Sequence, residues 1–324
     1  MAIYKFRPIL KSVIWGGEKI APYKGITTSQ NNIGESWELS GVKGNESVVS
    51  EGASEGLSLS ALIRRDGAAL LGERNFERFG EEFPLLIKFI DARDDLSIQV
   101  HPNDELAARR HNSKGKTEMW YVVDADKGAH LRSGFARKVT PEEYAASVEQ
   151  DTICDLLCDY EVHAGDLFFL PAGRIHSIGA GSFIAEIQQT SDVTYRIYDF
   201  NRRDAAGNLR ELHTEQAIDA IDYTLSDDYR THYSPQKNSA TELVRCPYFT
   251  TELWDLDSAT KIDVASRNSF VVVICIEGEA TLRDGKGNCS TIHRGETVLV
   301  AADSEWIAIE PQGEGVKLLT SHIE

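Results

Sequence analysis

Short apolar runs dominate the chain, and glycine, aspartate or asparagine interrupts most of them. Runs of about four to eight residues that are rich in branched and aromatic side chains are typical of β-strands rather than helices. The pattern predicts strands at residues 85–91, 96–101, 119–123, 166–170, 182–189 and 270–276. The chain is therefore expected to be mostly β.

Helical signals are fewer and lie between the predicted strands. Their starts are marked by proline or by capping residues, whose side-chain oxygens accept from the free N–H groups of a first turn. The predicted helices are 59–65 capped by Ser58, 103–111 after Pro102, Pro141 to about 150 capped by Thr140, and 215–222 capped by Thr214. Residues 226–241 are polar and aperiodic, so we place a domain boundary near 230–241.

Two segments repeat one pattern at an offset of 130 residues. Residues 162–176 (VHAGDLFFLPAGRIH) and 292–306 (IHRGETVLVAADSEW) each place a Gly-acid pair after a histidine, followed by a short apolar strand and a turn. Such repetition indicates two related β units. Because Trp306 stands where the first copy has His176, the function of that histidine is expected to be absent from the second unit.

Composition and charge narrow the possible partners. A chain of 324 residues with 41% hydrophobic and 26% charged residues is ordinary for a globular protein of two domains. The formal net charge of −17 argues against nucleic acid or an anionic membrane as the main partner, so an anionic ligand needs a local basic cluster. No apolar stretch approaches the ~18 residues of a membrane span, and the start lacks the pattern of a signal peptide. The five cysteines are interpreted as structural thiols, and the expected location is the cytoplasm.

Polar side chains occupy alternate positions of the segment 97–101 (SIQVH), which otherwise reads as a core strand. Because side chains alternate across a strand, Ser97, Gln99 and His101 share one face. Lys116 and Glu118 show the same spacing at the start of the next predicted strand. Either these faces are solvated, or their buried polar groups have specific partners.

The segment 165–176 (GDLFFLPAGRIH) resembles the second motif of the cupin superfamily, small β-barrels that hold a metal at the barrel mouth. Gln99, His101, Glu118 and His176 together offer an amide oxygen, two imidazoles and one carboxylate. This donor set suits a divalent metal such as zinc. A single carboxylate leaves positive charge on the metal, which favours binding an oxygen-rich ligand.

The order of the motifs resembles one family more closely. SIQVHPND, KTE, PAGRIH and AEIQQTSDVTYR follow one another as in the type I mannose-6-phosphate isomerases, particularly their short bacterial form. These enzymes carry Gln-x-His-Pro where most cupins have His-x-His. The resemblance spans about residues 1–205, whereas 241–324 is similar only as a degenerate cupin. It implies a cytoplasmic isomerase that interconverts mannose 6-phosphate and fructose 6-phosphate through an enediol or enediolate.

The resemblance also implies the roles of individual residues. It places one zinc ion per chain on Gln99, His101, Glu118 and His176, and the catalytic residues on Arg196, Lys116, Glu186 and Asp192. Arg202 occupies the place of a basic residue that follows the catalytic arginine, and we assign it to the substrate phosphate, with Ser97 and Arg203 as lesser candidates. The base stays open between Lys116, Glu186 and a water on the metal.

The expected fold is mostly β, with two cupin domains, each a jelly-roll-like β-barrel. Residues 1–235 form the catalytic, metal-binding domain with small helical inserts, and 241–324 form a degenerate, metal-free domain. Two other functions stay open, namely a metal cupin of another class, such as an iron oxygenase, and a phosphosugar-binding module without turnover. The oligomeric state stays open between monomer and homodimer.

Overall fold

The structure, a computed structural model, describes residues 3–203 and 206–324. Within these ranges the chain is mostly β, so the fold class expected from the apolar runs is confirmed. No helix in this part of the chain is long and apolar enough to span a membrane.

The elements alternate between strands and short helices along the first two thirds of the chain, and strands follow one another thereafter. In chain order the strands are β1 (Ile3–Lys5), β2 (Ile9–Gly17), β3 (Ile33–Leu39), β4 (Leu85–Asp91), β5 (Ile98–Val100), β6 (Glu118–Ala125), β7 (His130–Phe135), β8 (Leu157–Glu161), β9 (Leu167–Leu170), β10 (His176–Ile178), β11 (Ser182–Gln189), β12 (Tyr195–Tyr198), β13 (Ala240–Arg245), β14 (Thr250–Leu256), β15 (Thr260–Asp263), β16 (Val271–Asp284), β17 (Cys289–His293), β18 (Thr297–Val300) and β19 (Trp306–His322). The helices are α1 (Ile20–Lys24), α2 (Leu59–Asp66), α3 (Ala68–Leu71), α4 (Glu73–Phe79), α5 (Asp104–His111), α6 (Pro141–Glu149) and α7 (Thr214–Ala220), with 3-10 turns at Gly52–Ser54, Ile153–Leu156 and Ala265–Arg267.

Antiparallel pairing joins the described strands into three sheets. The first has the order β2-β3-β4-β11-β6-β9, and the second has the order β12-β5-β10-β7-β8. These two sheets share an apolar core that includes Trp120 and Phe168 from the first and Leu131 and Ile178 from the second. Helices α5, α6 and α7 pack on the other face of the second sheet. The third sheet runs β1-β18-β16-β19-β14-β13, with β15 beside β19 and β17 beside β16.

Strands β4 and β11 are buried at every position, because both faces of the first sheet are covered. Side chains alternate along β4, so Leu85, Ile87 and Phe89 share the face that turns away from the core between the first two sheets. These three side chains lie in one apolar cluster with Ile274 of the third sheet. Two-sided burial explains why residues 85–91 read as an almost continuous apolar run.

The first strand of the chain belongs to the third sheet. Strand β1 pairs with β18, and Ile3 lies opposite Val300. Strand β13 begins at Ala240, next to the expected start of the second domain at 241. The division of the chain at 235 and 241 itself stays a prediction.

The repeated sequence forms the same turn twice. Asp166 Oδ2 accepts from the His163 N–H at 2.9 Å, and Glu296 Oε2 accepts from the His293 N–H at 2.8 Å. The glycine before each acidic residue has a positive φ, +93° in the first copy and +81° in the second, a conformation that other residues rarely adopt. The turns lead into β9 and β18, so the two units share local structure as well as sequence.

Helix starts agree with the predicted caps in two cases and differ in one. The Ser58 hydroxyl accepts from Ala61 N–H, and the Thr140 hydroxyl accepts from Glu143 N–H, both at 3.2 Å. The prediction that Thr214 caps α7 is wrong, because the helix begins at Thr214 itself. The preceding residue, His213, is still paired with β12 through its backbone N–H, so the helix starts directly after that pairing.

Asn103 caps α5, the helix that follows the Gln-x-His-Pro segment. Its side-chain oxygen accepts from Leu106 N–H at 2.9 Å. We expect Asn103→Ala to lower the free energy of unfolding by about 1 kcal/mol, because this N–H loses its partner. Chemical denaturation followed by circular dichroism measures the change. Asn103→Asp keeps a capping oxygen and serves as the control, and equal loss in both variants would contradict the assignment.

Candidate functional site

Three buried side chains from separate elements meet at one point. Glu118 begins β6, His176 begins β10, and His101 directly follows β5. His101 Nε2 is 3.5 Å from Glu118 Oε2, and His176 Nε2 is 3.3 Å from Glu118 Oε1. Each residue is at most 2% exposed, and potential ligand atoms of the three lie within 4.8 Å of one another. We call these three residues the His-Glu-His cluster.

Backbone carbonyls hold both histidine rings. His101 Nδ1 is 3.1 Å from the carbonyl oxygen of Val193, and His176 Nδ1 is 2.7 Å from that of Arg174. Because a carbonyl oxygen only accepts, we assign the proton to Nδ1 in both rings, which leaves the Nε2 lone pairs for the centre of the cluster. A carbonyl behind the far nitrogen is the usual support for a metal-binding histidine.

Among the described residues, His176 Nε2 and Glu118 Oε1 are buried without a hydrogen-bond partner, whereas Glu118 Oε2 is in an ion pair with Lys116 Nζ at 2.8 Å. An unpaired buried polar atom costs about 1–3 kcal/mol, so atoms of this kind need a partner. A cation between two imidazoles and one carboxylate supplies that partner. The cluster therefore fits a divalent metal ion, and its nitrogen and oxygen donors are of the kind that zinc accepts.

The protonation of the two histidines favours metal binding as well. Burial lowers the pKa of His176 to about 3 and lowers the pKa of His101 well below its ordinary value, so both rings are neutral near pH 7. Burial also raises the pKa of Glu118, although the neighbouring Lys116 ammonium acts in the opposite direction. Neutral imidazole is the form of histidine that binds a metal.

A cavity of about 330 Å³ lies beside the cluster. Lys116 connects the two, since its Nζ is 2.8 Å from Glu118 Oε2 and 3.1 Å from His101 Nε2, and its side chain forms part of the cavity wall. The residues of the predicted site that line this cavity are Ser97, Gln99, Lys116, Glu186, Asp192 and Arg196. The fold thus brings together residues that are spread over about a hundred positions of the sequence.

Gln99 occupies a central position in the second sheet. It lies opposite His176 of β10 on one side and opposite Arg196 of β12 on the other. This register places an amide between a member of the cluster and the predicted catalytic arginine. The role of Gln99 as a metal ligand stays a prediction.

Glu186 is held as an anion inside the cavity wall. Trp120 Nε1 donates to its Oε2 at 2.9 Å, and Lys88 Nζ lies 3.1 Å from its Oε1. Burial acts to raise the pKa of Glu186, but the positive charges of Lys88 and Lys116 outweigh it and lower the pKa overall. The carboxylate is therefore ionised near neutral pH.

Arg202 is not part of the cavity wall. Its guanidinium donates to the Asp199 carboxylate and to the backbone oxygen of Asp95. Arg203 is exposed and donates to the backbone oxygen of Gly207 at 2.7 Å. The phosphate role assigned to Arg202 stays a prediction, and this residue does not line the cavity.

Several charged or titratable residues of the cavity wall were not predicted from the sequence, namely Glu35, Lys88, Arg210 and His213. Lys88 could have been identified from the sequence, because a charged residue inside a core strand needs a partner of opposite charge. Although burial acts to lower its pKa, the carboxylates of Glu186 and Glu35 raise it overall. Arg210 had no local signal, since it lies in an irregular segment of mixed charge.

Two family models match the chain. The model "Phosphomannose isomerase type I, catalytic domain" matches residues 3–145, and the model "Mannose-6-phosphate isomerase, cupin domain" matches residues 239–322. The second match falls on the part of the chain where the sequence resembles a degenerate cupin.

Individual relatives cover most of the chain. It is 37% identical over 284 residues to the mannose-6-phosphate isomerase ManA of Bacillus subtilis, covering 87% of each chain. It is 36% identical over 274 residues to the mannose-6-phosphate isomerase of Streptococcus mutans, covering 83% of this chain and 84% of the relative. A crystal structure of the mannose 6-phosphate isomerase from Bacillus subtilis matches the full length of both chains with a TM-score of 0.88 at 28% identity.

Proposed function

Because the chain belongs to the type I phosphomannose isomerase family, we propose that it interconverts mannose 6-phosphate and fructose 6-phosphate with one bound zinc ion. The observation that carries this proposal is the buried His-Glu-His cluster beside a cavity lined by Lys116 and Arg196. The other two functions kept open by the sequence have no comparable support from the relatives.

His101, Glu118 and His176 would hold the metal, and Gln99 is proposed as the fourth ligand because it lies opposite His176 and lines the cavity. A bound zinc ion would supply Lewis-acid polarisation of a substrate oxygen without redox chemistry. The carbonyl contacts of the two histidine rings keep their Nε2 atoms directed at that position. Both imidazole rings are therefore already oriented to bind the ion.

The isomerisation moves a proton between C1 and C2 of the sugar, which requires a group that takes the proton and returns it. Lys116 and Glu186 both line the cavity, and both are buried. Glu186 is fixed by Trp120 and Lys88, so its carboxylate is held in one orientation. We propose that one of these two side chains carries the proton.

Arg196 is proposed to stabilise the negative charge that develops on the enediolate oxygen. It lines the cavity next to Gln99, and its Nε is buried without a hydrogen-bond partner among the described residues. A permanently charged guanidinium with free donors suits this task. Asp192, which lines the same cavity, can accept hydrogen bonds from sugar hydroxyls.

A metal assay combined with an isomerase assay tests the function. Purified protein is expected to contain about one zinc per chain and to interconvert the two sugar phosphates. Removal of the metal by a chelator should abolish activity, and added zinc should restore it, because the cluster is otherwise left without its partner. Zinc-loaded protein that is inactive on this substrate pair would overturn the proposal. Oxygen consumption after loading with iron would support the oxygenase instead.

A further inference from the structure

We propose that Arg210 binds the phosphate group of the substrate and that Asp199 positions it, whereas Arg202 braces the surrounding segment. This inference rests on the proposed function, because it concerns the phosphate end of the same substrate. Arg210 lines the cavity, whereas Arg202 is not part of the wall. Both arginines donate to the Asp199 carboxylate. Their other contacts differ, and these contacts distinguish their roles.

Arg210 is held from behind by a buried acid. Asp199 is 5% exposed, its Oδ2 accepts from Arg210 Nε at 2.7 Å, and its Oδ1 accepts from Arg210 Nη2. A guanidinium has five N–H donors, so three remain beyond those given to Asp199. A guanidinium fixed along one edge presents its other donors in a defined direction, which is the geometry that phosphate oxygens prefer.

Arg202 donates three hydrogen bonds to oxygen atoms of the protein. Nε donates to the backbone oxygen of Asp199 at 3.2 Å, Nη2 donates to the Asp199 carboxylate at 2.5 Å, and Nη1 donates to the backbone oxygen of Asp95. These bonds connect the segment after β12 to the loop before β5. Such a brace supports the cavity wall, and Arg202 itself does not line the cavity.

The charges of the cavity agree with a phosphate at its arginine end. Arg196 and Arg210 line the same space, and the charges of Arg210 and, less strongly, Arg202 add to burial in lowering the pKa of Arg196. Two neighbouring guanidinium groups repel each other until an anion lies between them. In a chain with a net charge of −17, this pair supplies the local basic cluster that a phosphate dianion requires.

The test compares Arg210→Gln with Arg202→Gln in zinc-loaded protein. The Michaelis constant for mannose 6-phosphate and the inhibition constant of inorganic phosphate are measured for each variant. Arg210→Gln is expected to raise both constants by about 10- to 100-fold, with a smaller effect on kcat, because charge-assisted hydrogen bonds to the phosphate are lost. Arg210→Lys should recover part of the affinity, and the exposed Arg137→Gln is the control for loss of a positive charge.

Asp199→Asn examines the positioning role. It should raise the inhibition constant of inorganic phosphate several-fold, since the orientation of Arg210 is no longer fixed. A lower melting temperature with an unchanged phosphate constant would contradict that role. Unchanged constants in Arg210→Gln together with raised constants in Arg202→Gln would overturn the assignment of Arg210.

Failure of the proposed function is distinguishable from failure of this inference. If wild-type protein does not turn over mannose 6-phosphate, the proposed function fails, and calorimetric titration with inorganic phosphate still compares wild type with Arg210→Gln. If wild-type protein is active and Arg210→Gln binds substrate and inorganic phosphate as tightly, only the inference fails.

Discussion

Glu118→Gln is expected to lose both its metal and its isomerase activity. The variant keeps the size of the side chain but removes the anion shared by His101 and His176. It also leaves the Lys116 ammonium buried without the carboxylate oxygen that lies 2.8 Å from it. We expect zinc affinity to fall at least about 100-fold, because loss of a direct ligand should cost no less than loss of a residue that supports one.

Metal content by atomic absorption and a coupled assay for fructose 6-phosphate measure the two effects. His176→Ala is also expected to lose zinc and activity, but it leaves no buried charge without a partner. A folding defect specific to Glu118→Gln can therefore be recognised by comparing the two variants. The control is Glu105→Gln, which removes a glutamate that is 84% exposed on α5. Full zinc content and activity in Glu118→Gln and His176→Ala would show that the metal site lies elsewhere.

Arg196→Ala is expected to separate chemistry from metal binding. Arg196 lines the cavity but does not belong to the His-Glu-His cluster, so zinc content should stay at the wild-type level. Removal of one group that stabilises a developing oxyanion typically costs about 10²- to 10³-fold in kcat. Steady-state kinetics on protein of measured zinc content gives this value.

The matched control for Arg196 is Arg64→Ala, which removes an exposed arginine from α2. Arg196→Lys keeps the charge but not the planar set of donors, and an intermediate kcat is expected. An unchanged kcat in Arg196→Ala would refute the catalytic assignment. A parallel loss of zinc would instead make Arg196 a structural support of the site.

Local rules predicted the strand positions of the cluster residues, and the family resemblance indicated that they meet. Alternation along one strand put Gln99 and His101 on the same face, and a proline–glycine turn placed His176 at the start of another strand. These features need only short stretches of sequence. The pairing of His176 with Gln99 then follows from the sheet in which both lie.

The other residues of the cavity wall could not be obtained in this way. Arg210 reaches the cavity from an irregular segment, and its direction depends on Asp199, eleven positions earlier, and not on any strand or helix period. The start of α7 was missed for a related reason, because pairing of His213 with β12 set it rather than the capping preference of Thr214. Where tertiary contacts set the conformation, local propensity is overridden.

The two-sided burial of β4 limits how far the chain can be shortened. Lys88 lines the cavity beside the His-Glu-His cluster, while the neighbouring Ile87 and Phe89 pack in the apolar cluster that includes Ile274 of the third sheet. A single layer of polypeptide therefore separates the cavity from the third sheet. A shortened chain that ends before β13 would expose the back of that layer to water, so the third sheet is part of what keeps the cavity in shape.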